Sequence, residues 1–158
     1  MNSFNTKNIT DMTGMFYESQ ATKITGLDGF DTSKVTNMNT MFLGVKIYTL
    51  NFNNFDTHNV EDMHDMFSNT STVYIDLSNF DTSKVTNMNN MFYGSNSLKT
   101  VYVSNKFDIN KVTTSDYMFE GCSNLVGGKG TKYNSSYIDK TYARIDGGTS
   151  SPGYFTAK

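Results

Sequence analysis

The feature that most constrains the fold is an internal repeat. FDTSKVTNMNTMFLG occupies residues 30–44 and FDTSKVTNMNNMFYG occupies residues 80–94, and the two stretches differ at two positions. Their opening phenylalanine recurs every 25 to 27 residues, at Phe4, Phe30, Phe55, Phe80 and Phe107. Such a period indicates units that bury their apolar faces against neighbours. We therefore predict an α/β repeat solenoid of about five coils, over residues 1–125.

Each coil combines two patterns. Val73, Ile75 and Leu77 alternate with outward residues, which predicts a short strand with one buried face. The runs 48–52 and 101–103 predict the same, with Tyr48, Leu50 and Phe52 inward. In the MNNMF stretch, methionine and phenylalanine recur at i, i+3 and i+4, which predicts a short helical turn with Thr86 as N-cap. The stacked strands should form a narrow parallel sheet.

The apolar side chains at equivalent positions form the predicted core. Because the ten methionines mostly share these positions, packing explains them better than metal binding. The predicted core residues are Phe30, Met41, Phe42, Phe55, Met66, Phe67, Phe80, Met91, Phe92, Phe107, Met118, Phe119 and Cys122. Residues 126–158 are predicted to be a C-terminal cap, in which segments 142–146 and 153–156 form a hairpin.

Part of the repeat resembles a known family. The run LSNFDTSKVTNMNNMFYG at 77–94 and MFEGCSNL at 118–125 resemble the roughly 26-residue repeat of BspA-like bacterial surface proteins. The closing stretch 141–156 is similar to the segment that often ends such arrays. The resemblance implies a right-handed, leucine-rich-repeat-like solenoid on a bacterial surface, in proteins regarded as adhesion or interaction proteins. It also implies that Cys122 is a small core residue.

Three groups of residues raise the question of site chemistry. Asp31, Asp56, Asp81 and Asp108 recur once per coil, either as calcium ligands or as turn caps with Lys34, Lys84 and Lys111 as countercharges. His58 and His64 could bind zinc with nearby carboxylates, although their spacing matches no recognised zinc pattern. Cys122 has no histidine in its coil to activate it. We predict no catalytic site, no cofactor and no tightly bound metal.

The outward positions of the strands differ from coil to coil, and they form the candidate ligand-binding face: Thr49, Asn51, Tyr74, Asp76, Thr100 and Tyr102. Exposed tyrosines are typical of interfaces. We therefore expect adhesion to a host or neighbouring-cell surface protein or glycan; the alternative is a stalk or spacer without a ligand.

The net charge of −2 and the single arginine, Arg144, argue against nucleic acid as a partner. No apolar run is long enough to span a bilayer, and the polar start shows no signal peptide. We expect a fragment, without its signal and anchor, of a protein on the bacterial cell surface.

Overall fold

The computed structural model describes residues 5–158, so Phe4 lies outside the described residues. Four parallel strands form one sheet in the order of the chain. They are β1 (Thr49–Leu50), β2 (Tyr74–Leu77), β3 (Thr100–Val103) and β4 (Phe155–Ala157). Residues 5–158 contain only three short 3₁₀-helices, at Leu27–Gly29, Lys140–Tyr142 and Gly148–Ser150. The molecule is thus a small, repeat-like fold built around a parallel sheet, with few helices.

The register of the sheet follows the sequence repeat. Leu50 pairs with Ile75, Ile75 with Val101, and Val101 with Phe155. All four side chains are buried. Because successive side chains of a strand point to opposite faces, this row fixes the neighbouring positions as outward. β1, β2 and β3 come from consecutive repeats, so equivalent residues lie side by side.

A second row of parallel contacts runs through the Met-Phe segments. Isolated parallel bridges join equivalent residues of successive repeats, in the order Asp11, Asn37, Asp62, Asn87 and Thr114. The repeats that contribute β1, β2 and β3 therefore contact one another along two separate lines of backbone hydrogen bonds.

The predicted helical turn is wrong, because this segment forms hydrogen-bonded turns that also bond to the next repeat. The N–H of Met91 donates to the carbonyl of Met88 at 3.2 Å, whereas the N–H of Asn90 donates to Asp116 of the next repeat at 2.9 Å. Asn90 has a φ of 54°, in the left-handed region, which interrupts a right-handed helix. The same conformation occurs at the equivalent positions Thr40, Asp65 and Tyr117.

The predicted N-cap is wrong as well. The Oδ1 of Asn87 accepts a hydrogen bond from the N–H of Asn89 at 3.1 Å, so Asn87 closes the turn. The hydroxyl of Thr86 instead donates to the carbonyl of Glu61, in the preceding repeat, at 3.3 Å.

The core is dominated by two stacks of phenylalanine rings. In the first stack, Phe42, Phe67, Phe92 and Phe119 follow one another at centroid distances of 5.8, 5.8 and 5.6 Å. In the second, Phe55 lies 6.4 Å from both Phe30 and Phe80. Of the predicted core residues, Phe30 and Phe107 are half-buried and the others are buried. Each fully buried Phe or Met side chain contributes about 1.5–3 kcal/mol.

The C-terminal segment extends the sheet and does not form the predicted hairpin. β4 pairs with β3 in parallel, and Ile145 also bridges Phe155 in parallel. A hairpin would require antiparallel pairing, but the residues between 145 and 155 bring the chain back in the same direction.

A buried carboxylate stabilises the segment that leads back to β4. Asp146 accepts hydrogen bonds from the N–H groups of Lys129, Thr131 and Gly148 and from the Thr131 hydroxyl. Desolvation alone would raise the pKa of Asp146, but the bonds from Thr131, Gly148 and Lys129 outweigh it and lower the pKa to about 2.

Candidate interaction surface on the parallel sheet

The outward side chains of the strands form two rows. Thr49, Tyr74 and Thr100 are paired across β1, β2 and β3. In the next row, Asp76 pairs with Tyr102. Tyr74 is 51% exposed, and Tyr102 is half-buried. Five of the six residues predicted for this face therefore share one side of the sheet, which we call the strand face.

The sixth residue, Asn51, follows β1 and belongs to a turn. Its Oδ1 accepts a hydrogen bond from the N–H of Asn53 at 2.9 Å. Asp76 uses the same geometry, because its Oδ1 accepts from the N–H of Ser78 at 3.0 Å. Both residues therefore close turns, and their side chains are only partly available to a ligand.

Tyr48 was predicted to point inward, and this is wrong. Its side chain is 71% exposed, more than that of any other large hydrophobic residue among residues 5–158. β1 has only two residues and starts at Thr49, so the alternation that buries Leu50 does not extend back to Tyr48. The preceding residue, Ile47, is buried in its place.

The C-terminal residue reaches the strand face, which the sequence did not predict. The Nζ of Lys158 pairs with the carboxylate of Asp76 and lies 5.7 Å from the centre of the Tyr102 ring. Burial opposes ionisation of Asp76, but hydrogen bonds from Lys158 and Ser78 outweigh it and lower its pKa. Lys158 thus covers the Tyr102 end of the face, whereas Tyr74 stays exposed.

The recurring Asp residues close turns. Asp31 accepts hydrogen bonds through Oδ1 from the N–H and the hydroxyl of Ser33, at 3.1 and 2.6 Å, and these bonds lower its pKa. The equivalent carboxylates accept from the residue two positions on, in the pairs Asp56–His58, Asp81–Ser83 and Asp108–Asn110. Lys34 donates to the amide oxygen of Asn8, in the preceding repeat. Turn closure therefore accounts for these carboxylates.

The two histidines lie beside different carboxylates. The Nδ1 of His58 is 2.6 Å from an oxygen of Asp56, and the Nδ1 of His64 is 3.0 Å from an oxygen of Asp62. Within residues 5–158, no group of three or more His, Cys, Asp or Glu side chains has a geometry that could hold a metal ion. Each contact fixes a turn of its own repeat.

Cys122 is buried and unsuited to nucleophilic chemistry. Desolvation raises the pKa of its thiol to about 12, so the thiol is protonated at neutral pH. The Sγ donates to the carbonyl of Phe92 at 3.0 Å. In the preceding repeat the hydroxyl of Ser95 donates to Phe67 at 2.7 Å, so Cys122 fills a structural position of the repeat.

Comparisons with known proteins identify a family but give no activity. A family model described as "Mycoplasma protein of unknown function, DUF285" matches residues 10–133. The chain belongs to this family. The DUF285 match spans most of the chain, from the first repeat to the start of the C-terminal segment. No curated protein and no solved structure matches the chain. Among residues 5–158, none of the helices has the length and apolar character needed to cross a membrane.

Proposed function

We propose that this chain is a non-enzymatic extracellular module that mediates adhesion, or interaction with a protein or glycan, through its strand face. The proposed architecture is a right-handed, leucine-rich-repeat-like solenoid of about five coils. The two lines of parallel contacts between successive repeats support this architecture. The proposed location is the bacterial cell surface, and the proposed partner belongs to a host or neighbouring cell.

The observation that carries the proposal is a pair of exposed tyrosines, Tyr74 on the strand face and Tyr48 immediately before β1. Tyr48 is 71% exposed and Tyr74 is 51% exposed. Thr49 follows Tyr48 directly and pairs with Tyr74, so Tyr48 immediately precedes the strand that neighbours Tyr74. A tyrosine ring offers apolar area and a hydroxyl at a low cost in side-chain entropy, and tyrosine is enriched among residues that dominate binding energy.

The charge of the face fits an uncharged ligand surface. Its carboxylate, Asp76, is already paired with Lys158, which leaves hydroxyl groups and aromatic rings as the contacts. Electrostatic steering would contribute little to such binding, so affinity should depend weakly on salt.

A structural stalk or spacer is the second candidate. It is favoured by the similar contacts between successive repeats, because stacking alone is enough to explain them. This candidate requires no function of Tyr48 or Tyr74.

The experiment is a cell-attachment and pull-down assay with the Tyr48→Ser/Tyr74→Ser double variant. The control is Tyr17→Ser, because Tyr17 is 52% exposed but lies outside the sheet. We expect the double variant to lose about tenfold or more in attachment and the control to retain it. Equal attachment of all three proteins would overturn the adhesive proposal and favour the stalk. Antibody labelling of intact cells tests the location.

A further inference from the structure

A groove lies among the turns of four successive repeats, from Leu43 to Glu120, and it shares no residue with the strand face. Its volume is about 410 Å³, within the size range of small-ligand sites. The residues that matter for the argument are Asp65, Asn69, Asn90, Tyr93, Tyr117 and Glu120. The turns align because the N–H of Asn69 donates to the carbonyl of Tyr93 at 2.7 Å and that of Asn90 donates to Asp116.

Tyr117 occupies a backbone conformation that disfavours it. Its φ is 56°, in the left-handed region, where a bulky side chain is strained. The equivalent residue of the first repeat is Gly14, so the repeat itself does not need a ring here. The Tyr117 side chain is 54% exposed, which means that core packing does not explain it either. The positive φ is shared by this position in other repeats, so what distinguishes Tyr117 is the large exposed ring placed there.

The second ring of the groove belongs to Tyr93, which is 39% exposed. It directly follows the Met91–Phe92 pair of the core, so its backbone position is fixed by buried neighbours. None of the hydrogen bonds among residues 5–158 uses the hydroxyls of Tyr93 and Tyr117 or the carboxylate of Glu120. These polar groups are therefore available to a ligand.

Two amides complete the groove. The Nδ2 of Asn90 lies 3.5 Å from a carboxylate oxygen of Asp65, which is a weak contact that a ligand hydroxyl could replace. Asn69 donates to the hydroxyl of Ser68, and its Oδ1 lies where a Cβ on Gly94 would be, at 2.2 Å. Gly94 is thus required for the Asn69 amide to reach this place.

The charge of the lining selects the ligand class. Asp65 and Glu120 are acidic, and no lysine or arginine lines the groove, so phosphate, sulfate and acidic sugars are disfavoured. Carboxylates and amides are good acceptors for hydroxyl donors, and an exposed aromatic ring packs against the apolar face of a sugar ring. We propose that this groove binds a short neutral oligosaccharide.

The experiment is a titration of the ¹⁵N-labelled chain, followed by backbone amide shifts. The probes are chitotriose, maltotriose and cellotriose, each at concentrations up to about 20 mM, because single shallow sites bind sugars weakly. Tri-lysine is the competing probe, since it matches the acidic lining without offering sugar hydroxyls. The variant is Tyr117→Gly, which removes the ring and relieves the strained φ. The matched control is Tyr17→Ser, because Tyr17 holds the same repeat position as Tyr93 but does not line the groove.

We expect at least one trisaccharide to shift the amides of Asn90, Gly94 and Gly121, and Tyr117→Gly to weaken that binding about tenfold. Tyr17→Ser should bind like the parent chain. The proposal is overturned if no trisaccharide shifts these amides, if Tyr117→Gly binds equally well, or if only tri-lysine binds. Because the strand-face double variant leaves the groove intact, it should retain the sugar-induced shifts, so the two proposals can fail separately.

Discussion

The hydroxyl of Thr57 donates a hydrogen bond to the carbonyl of Asp81 at 2.9 Å and accepts one from the N–H of the same residue, also at 2.9 Å. One buried side chain thereby satisfies both backbone groups of a residue in the next repeat. The same pair of hydrogen bonds joins Thr32 to Asp56 and Thr82 to Asp108. These threonines connect the repeats at points that the β-sheet does not reach.

Replacing Thr57 tests this role. Thr57→Val keeps the shape but leaves the N–H and C=O of Asp81 without partners, so we expect a loss of about 1–3 kcal/mol in the free energy of unfolding. Thr57→Ser keeps the hydroxyl and should lose less. Urea unfolding of both variants measures the difference; a valine variant as stable as the serine variant would show that the hydroxyl contributes nothing.

Asp146 should make stability dependent on pH. Its pKa is lowered to about 2 in the folded chain, so its contribution is full above the ordinary aspartate pKa and is lost as the pH falls towards 2. Asp146→Asn places an amide donor against the N–H groups that the carboxylate accepts from. We expect a cost of about 1 kcal/mol at pH 7 that shrinks as the pH approaches 2.

The control for that comparison is Asp28→Asn, at an exposed position. Thermal unfolding between pH 2 and pH 7 provides the measurement. A constant difference between the Asp146→Asn variant and the parent chain at every pH would refute the assignment.

Removing the strained ring at position 117 should stabilise the chain. In Tyr117→Gly the residue keeps its φ of 56° without a Cβ, which we expect to add up to about 1 kcal/mol to the free energy of unfolding. Tyr17→Gly is the matched comparison, because Tyr17 is similarly exposed but has no positive φ. That change should instead destabilise by about 0.5–1 kcal/mol. A destabilised Tyr117→Gly variant in chemical unfolding would mean that the ring contributes packing.

Cys122 should be inert in the folded chain. Burial and a pKa of about 12 keep the thiol protonated, so a disulfide reagent should react only after urea is added. Cys122→Ser should keep the bond to the Phe92 carbonyl, as Ser95 does in the repeat before it, and cost less than about 1.5 kcal/mol. Rapid labelling without denaturant would contradict the burial of this residue.

The parts of the fold that the sequence predicts well are those that depend on period alone. The alternation of Val73, Ile75 and Leu77 locates β2, and the recurring Met-Phe pairs identify inward positions. These patterns indicate burial directly, because equivalent positions of successive repeats have equivalent neighbours.

The errors arise where two structures satisfy one pattern. Apolar residues at i, i+3 and i+4 fit a helix, but they equally fit turns whose other N–H groups bond to the next repeat. Nothing local in the sequence tells whether the N–H of Asn90 bonds within its repeat or to Asp116. The buried threonines were missed for a related reason: in FDTSK they sit among polar residues, and their burial depends on the next repeat.

The strand residues of the candidate surface could be predicted from the sequence, but the contact that the C-terminal residue makes with it could not. Thr49, Tyr74 and Thr100 follow from the alternation, whereas the contact of Lys158 with Asp76 joins residues 82 positions apart. That contact depends on the parallel return of β4, which the predicted hairpin excluded.

The most direct test of the account is whether the repeats stack in chain order in solution. In a sample with selectively labelled phenylalanines, we expect nuclear Overhauser contacts between the rings of Phe42 and Phe67, Phe67 and Phe92, and Phe92 and Phe119, whose centroids lie 5.6–5.8 Å apart. Phe42 should show no contact with Phe92, because Phe67 lies between them. Contacts that skip a repeat, or none between successive rings, would contradict the stacking on which the strand face and the groove both depend.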